Sequence, residues 1–190
     1  MNHYIIAIGG SAGCLEALTA FFEQSVSGPA SYVILRHLPQ NYQSQLKSIL
    51  ERYTGLPIVE VDRAMPLQAG TIYIGPCHKD LVIFEGALQL VAKEGTDRGF
   101  PSSIDLFFQS LAAMDIDKRA IAIVLSGAGW DGTKGTGWIK QAGGLVIAQA
   151  PSSCIHRSMP EHAIEGGHVD HIEVPGEIPW VIRDYMRRTG

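Results

Sequence analysis

The sequence contains no apolar run approaching the ~18–20 residues that a helix needs to cross a bilayer. Insertion into a membrane is therefore not expected. No secretory leader is expected either: the strand-like "YIIAI" starts at Tyr4, with no basic segment or small-residue cleavage site ahead of it. A cytoplasmic location is the expectation. Cysteine is scarce. Cys14, Cys77 and Cys154 are odd in number, widely separated and in no CxxC pair, so neither a disulfide framework nor a thiolate zinc site is signalled. Cationic charge is short as well, with 15 Lys and Arg against 19 Asp and Glu. That balance argues against nucleic acid as partner, because phosphate neutralisation needs clustered Lys and Arg. Internal repeats, low-complexity segments and long linkers are all missing. What is present is an ordinary globular composition, 46% hydrophobic and 18% charged, in 190 residues. That is enough for one domain with a full core, expected over residues 1–190.

Short apolar runs alternate with helical patterns. "YIIAI" (4–8), "SYVILR" (31–36), "LPIVEV" (56–61), "GTIYIG" (70–75), "RAIAIVLSG" (119–127) and "GLVIAQ" (144–149) read as strands. "LVIFEGALQLV" (81–91) reads as a hairpin turning at Glu85-Gly86. Helices are expected over 15–24, 42–54, 102–115, 133–143, 159–167 and 178–188. Continuous apolar strands alternating with helices imply a doubly wound α/β fold, a mostly parallel sheet covered on both faces. In such sheets the site lies beyond the carboxyl ends of the strands. That rule selects Ser11 after the first strand, His37 after the second and Asp131 after the strand at 119–125.

Gly9-Gly10-Ser11-Ala12-Gly13 fits G-x-S-x-G in a strand–turn–helix setting. Such a turn is sharp, demands small neighbours and lifts the hydroxyl into solvent. The Ala12 N–H, at the start of the following helix, is a candidate oxyanion donor. A phosphate-binding turn or a simple helix cap would use similar residues. The dinucleotide version of that turn loses ground, because positions 11 and 14 are Ser11 and Cys14 where glycines are needed and Arg36-His37 replace the acidic residue, although Arg36 is of the type that meets a 2′-phosphate. No Gly-Lys-Ser/Thr loop exists either. Among seven histidines, His37 shares its address with Ser11 and is the candidate base; His78, in "IGPCHKD", is the runner-up. Asp131, in "VLSGAGWDGTKG", is either an N-cap of the next helix or the carboxylate that orients His37. In the same loop Ala128 N–H is a second oxyanion candidate, and Ser126 reads as a turn residue. "HVDH" (168–171) has metal-ligand residue types, but their alternation does not converge, so no metal is expected. Cys14, in a helical first turn where thiols are acidified, is a secondary nucleophile candidate.

With these loops in view, the sequence resembles the catalytic domain of CheB-type protein-glutamate methylesterases of bacterial chemotaxis. The matching stretches run in the family's order: "IGGSAGCLEAL", "ILRHLPQNYQSQL", "GTIYIGP", "PSSIDLFFQSLA", "VLSGAGWDGTKG", "IKQAGGLVIAQ" and "MPEHAI". The resemblance implies a Ser–His–Asp triad of Ser11, His37 and Asp131, and hydrolysis of γ-glutamyl methyl esters on receptor helices to glutamate and methanol. Deamidation of receptor glutamine is a related activity, and no cofactor is implied. The wording around "SAGCLEAL" is similar to esterase domains fused to a CheR-type methyltransferase, which makes such an enzyme an expected partner, fused or separate. Typical relatives carry a receiver domain ahead of the esterase; no second αβ pattern with a receiver's acidic cluster is found in this chain. The chain departs from the family pattern at Gly10, Cys14, Arg36, Ala128 and Glu161, which alters charge and bulk around the pocket but removes no triad member. A reading of a different class keeps the fold without catalysis, as a sensory or binding module for a helical partner or small ligand. Methanol release from methylated receptor separates the two.

Overall fold

A computed structural model of the chain describes residues 3–24, 28–37, 44–93, 102–114 and 118–190. The chain begins with β1 (Tyr4–Gly10), α1 (Cys14–Glu23), β2 (Ala30–Arg36) and α2 (Leu46–Leu50). Next come β3 (Ile58–Glu60), β4 (Met65–Pro66), β5 (Ile72–Ile74), and the hairpin strands β6 (Lys79–Phe84) and β7 (Ala87–Ala92). The second half holds α3 (Ser103–Ala112), β8 (Ala120–Val124), α4 (Thr133–Gln141), β9 (Leu145–Gln149), α5 (Ser158–Glu165), β10 (His171–Glu173) and α6 (Ile178–Thr189).

Seven strands form one sheet in the order β10-β9-β8-β1-β2-β5-β3, and every pair in it is parallel. Alternating side chains of β1 explain why the sheet is covered twice. Ile6 and Ile8 join α1, α2 and α6 in one core; Ile5 and Ala7 join α3, α4 and α5 in the other. A strand that faces two cores is mostly apolar at both parities, hence the near-continuous apolar run "YIIAI". A separate antiparallel sheet, β4-β7-β6, lies on the second core through Leu81, Ile83 and Leu88. Its turn falls at Glu85-Gly86, both with positive φ, as a two-residue hairpin requires.

Two expectations are corrected here. The helix expected over 42–54 is only Leu46–Leu50, followed by turn through Tyr53; positions 42 and 43 lie outside the described residues. Its apolar side chains are only Leu46 and Leu50 against the core, too narrow a stripe to hold a longer helix in place. The two-residue strand β4 was not expected at all, because Met65-Pro66 has no periodic signal and pairs only with β7. None of the described helices is long and apolar enough to cross a membrane.

Sequence order reverses about β1. Strands β2, β5 and β3 add on one side of it, and β8, β9 and β10 on the other. The crevice at the carboxyl ends of β8, β1 and β2 is the topological switch point, where such sheets hold their ligands.

Candidate active site

Gly10 and Arg36 are register partners in the β1–β2 ladder. The His37 N–H donates to the Gly10 carbonyl at 3.4 Å. Ser11 and His37 therefore leave adjacent strands at the same level. Ser11 is held on its other side by the segment that follows β8, its N–H donating to the Ser126 carbonyl at 3.0 Å. Gly13 then turns the chain into α1 with φ 74°, a left-handed conformation that glycine adopts without strain. Among the described residues the Ser11 hydroxyl makes no hydrogen bond, and neither do the N–H groups of Ala12 and Ala128. Hydroxyl and both candidate oxyanion donors are thus without a partner among the described residues.

The second pair is closed. His37 Nε2 lies 2.6 Å from Asp131 Oδ2. The Asp131 side chain is buried, and its two oxygens take three backbone N–H groups besides the imidazole: Ile104 on Oδ2, Asp105 and Gly132 on Oδ1, all at 2.9 Å. Ile104 and Asp105 belong to the first turn of α3, whose unpaired donors and positive dipole end suit a carboxylate. Asp131 is therefore no ordinary N-cap of its own helix α4, whose cap residue is Gly132. It caps α3, 26 and 27 residues back in the chain. With Nε2 committed to Asp131, Nδ1 is the ring nitrogen left to exchange a proton.

Other candidates are placed away from this chemistry. Cys14 is buried, and burial pushes its thiol up from the ordinary value, with Arg36 opposing. The expected acidification at a helix start does not occur, because desolvation outweighs it. Gly10 and Cys14 are matched departures: a methyl on Gly10 would come within 2.8 Å of Cys14 Cβ, so Cys14 fills that space. Ser126 is fully buried; its hydroxyl contacts the Ala12 and His156 carbonyls and accepts the His156 N–H at 3.0 Å. It is a staple between loops, as a turn serine would be. His78 is exposed and lines a neighbouring cleft of about 280 Å³ with Arg36, Ser44 and Cys77. Glu161 pairs with Arg157 at 3.3 Å on the surface. Asp170 of "HVDH" is taken by Lys140 and the Val146 N–H, and no group of three or more potential metal ligands occurs among the described residues.

Sequence reasoning missed Asp105. It is a buried carboxylate that accepts the Gly135 N–H of α4 at 2.7 Å. Burial is the main reason its pKa is pushed up to about 6, and Asp131 adds to the shift. An acidic residue in the first turn of a helix is common, so only its burial could have singled it out. The exposed Trp130 and Ile155 were also missed. Trp130 precedes Asp131 and stands edge-on to His162, and Ile155 packs over Gly13.

Fold and site together define a doubly wound α/β domain with a serine, a histidine and an aspartate gathered at its switch point. Comparison with known proteins gives the family and the fold. The family described as CheB methylesterase matches residues 6–182, and the chain belongs to it. The crystal structure of the Thermotoga maritima CheB methylesterase catalytic domain superposes with a TM-score of 0.88 at 26% identity, covering 97% of this chain and 99% of that one. A protein-glutamate methylesterase/protein-glutamine glutaminase of Desulfitobacterium hafniense is 31% identical over 97% of this chain and 48% of its own length. An uncharacterized 104.1 kDa protein of Rhodobacter capsulatus is 40% identical over 75% of this chain, which is 15% of that protein. The chain spans about half the length of the methylesterases that it matches.

Proposed function

We propose that this domain is a serine esterase that hydrolyses γ-glutamyl methyl esters on helical segments of chemoreceptors, with glutamine deamidation as a second activity. The observation that carries the reading is the His37–Asp131 pair at 2.6 Å, held beside Ser11 by the β1–β2 register. Names of the relatives supply the protein-glutamate methyl ester and the glutamine amide, and the chemoreceptor is what the family resemblance implies. In the first step His37 Nδ1 takes the Ser11 proton while Oγ attacks the γ-carbonyl carbon. Negative charge on the carbonyl oxygen is met by the N–H groups of Ala12 and Ala128. The imidazolium, stabilised by Asp131, returns the proton to the leaving methoxide, and methanol departs. Water repeats the cycle on the acyl-enzyme and yields glutamate. With a glutamine side chain the leaving group is ammonia.

Trp130 and Ile155, 48% and 60% exposed, flank this rim and would meet residues on either side of the ester. That suits a protein substrate better than a small one. We place the reaction in the cytoplasm, with a CheR-like methyltransferase, fused or separate, as source of the ester. The test is methanol release from methylated receptor with wild type, Ser11→Ala and His37→Ala. Each variant should lose several powers of ten while keeping the fold, and a fluorophosphonate should label Ser11. Labelling elsewhere, or an active Ser11→Ala, refutes the triad. Receptor binding without any turnover in the wild type would support the non-catalytic module instead.

A further inference from the structure

Behind Asp131 stands a second buried carboxylate with no part in the chemistry just described. Asp105 sits in the first turn of α3 and is 8% exposed. Its Oδ1 accepts the Gly135 N–H, in the first turn of α4. Asp131, in the loop that enters α4, accepts the N–H groups of Ile104 and of Asp105 itself. Each helix start thus receives its acceptor from the other helix's segment. The contact is tight: a methyl added at Gly135 would come within 2.6 Å of Phe108 Cβ on α3. Two helices so close at their amino ends, and joined by carboxylates in both directions, have one relative position.

We propose that Asp105 is a positioning residue for the esterase reaction: by locking the first turn of α3 to that of α4, it holds Asp131 in place against His37. The inference rests on the triad reading of the preceding section. Its logic is one of donors. Asp131 is oriented by two N–H groups of α3, and these are only as fixed as the α3 start. Removing Asp105 strands the buried Gly135 N–H and frees that start to shift. A misplacement of an ångström at the orienting carboxylate is enough to matter for a proton-transfer step. The groups facing the Asp105 carboxylate are Asp131 and Lys134. His37 follows through Asp131, and Asp80 binds the Ser103 hydroxyl at the same helix start. Asp105 therefore also contributes negative charge behind the imidazole.

Two variants separate position from charge. Asp105→Ala removes the acceptor; kcat should fall at least tenfold with KM unchanged within twofold. Asp105→Asn keeps an acceptor for Gly135 but not the charge. Its plateau kcat should stay within about threefold of wild type, and the acid limb of its pH–rate profile should move down by about half a unit, because an imidazolium loses a stabilising negative neighbour. The His37 ring titration, followed by NMR in the Ser11→Ala background, should move the same way. That last reading needs no turnover, so it stands even if the triad reading fails by an active Ser11→Ala. A folded Asp105→Ala with kcat within twofold of wild type overturns the proposal. If Asp105→Ala does not fold, Asp105→Glu, which keeps the charge and displaces the acceptor by one methylene, decides in its place, and a kcat within twofold of wild type overturns the proposal.

Discussion

Changing Asp131 to Asn should inactivate the domain through hydrogen-bond geometry. The carboxylate accepts four donors, two on each oxygen: Asp105 and Gly132 N–H on Oδ1, Ile104 N–H and His37 Nε2 on Oδ2. An amide can accept at only one end. With its oxygen toward Asp105 and Gly132, one backbone donor, Ile104, is left facing an NH2. With the oxygen toward His37, two are left. Each orphaned buried donor costs about 1–3 kcal/mol, so the first orientation wins by that margin. The NH2 then points at His37 Nε2 and forces it to accept, which puts the ring proton on Nδ1, the nitrogen that in the proposed mechanism takes the proton from Ser11. A wrong tautomer of this kind costs about 10⁴-fold in kcat in serine triads. The orphaned Ile104 N–H and the lost charge at the α3 dipole together cost about 2–4 kcal/mol of stability, or roughly 5–10 °C in melting temperature for a chain of this size. The assay is methanol release from methylated receptor at pH 8, with a thermal melt followed by circular dichroism alongside. A folded Asp131→Asn that keeps a tenth or more of wild-type kcat would refute the tautomer reasoning.

Gly127→Ala should reduce kcat at least tenfold in a folded protein, since the new methyl would lie 3.0 Å from Ser11 Cβ and 2.7 Å from Met159 Sδ; unchanged turnover would mean that the serine turn yields freely. Trp130→Ala and Ile155→Ser should raise KM for methylated receptor about tenfold each while hydrolysis of a small aryl ester stays within twofold, and equal loss on both substrates would contradict a substrate-docking role. Asp105 makes stability depend on pH. Its carboxyl pKa is raised from 3.8 to about 6, so the native state binds the extra proton and stability falls as pH rises through that window. Asp105→Asn lacks this fall and should gain on wild type by up to about 3 kcal/mol between pH 4 and 7; a stability difference that does not change with pH in denaturant titrations would show that burial does not perturb this group.

The positions of the candidate site residues were legible because a parallel sheet turns chain order into address. Ser11, His37 and Asp131 each follow an apolar run, and strands buried on both faces must read as such runs. Alternation of apolar runs and helical stripes was enough for the doubly wound class, and the family's wording around the three loops did the rest. The hairpin at Glu85-Gly86 was legible for the same local reason, a turn that needs positive φ. What the sequence could not carry were relations between segments far apart in the chain. The strand order that puts β8 beside β1 depends on how two cores close over the sheet, and local propensity does not encode it. Asp131 looked like a cap for the helix it precedes, and only the packing of α3 against α4 made it a cap for the other one. Cys14 looked acidified by its helix start, and only its burial reversed the sign. Asp105 looked like any acid in a first turn until Phe108 and Gly135 brought α4 over it. Sequence alone determined which residues stand at the ends of strands. Tertiary packing decided which of them touch and which are shielded from water, because contact and desolvation exist only once the layers have closed.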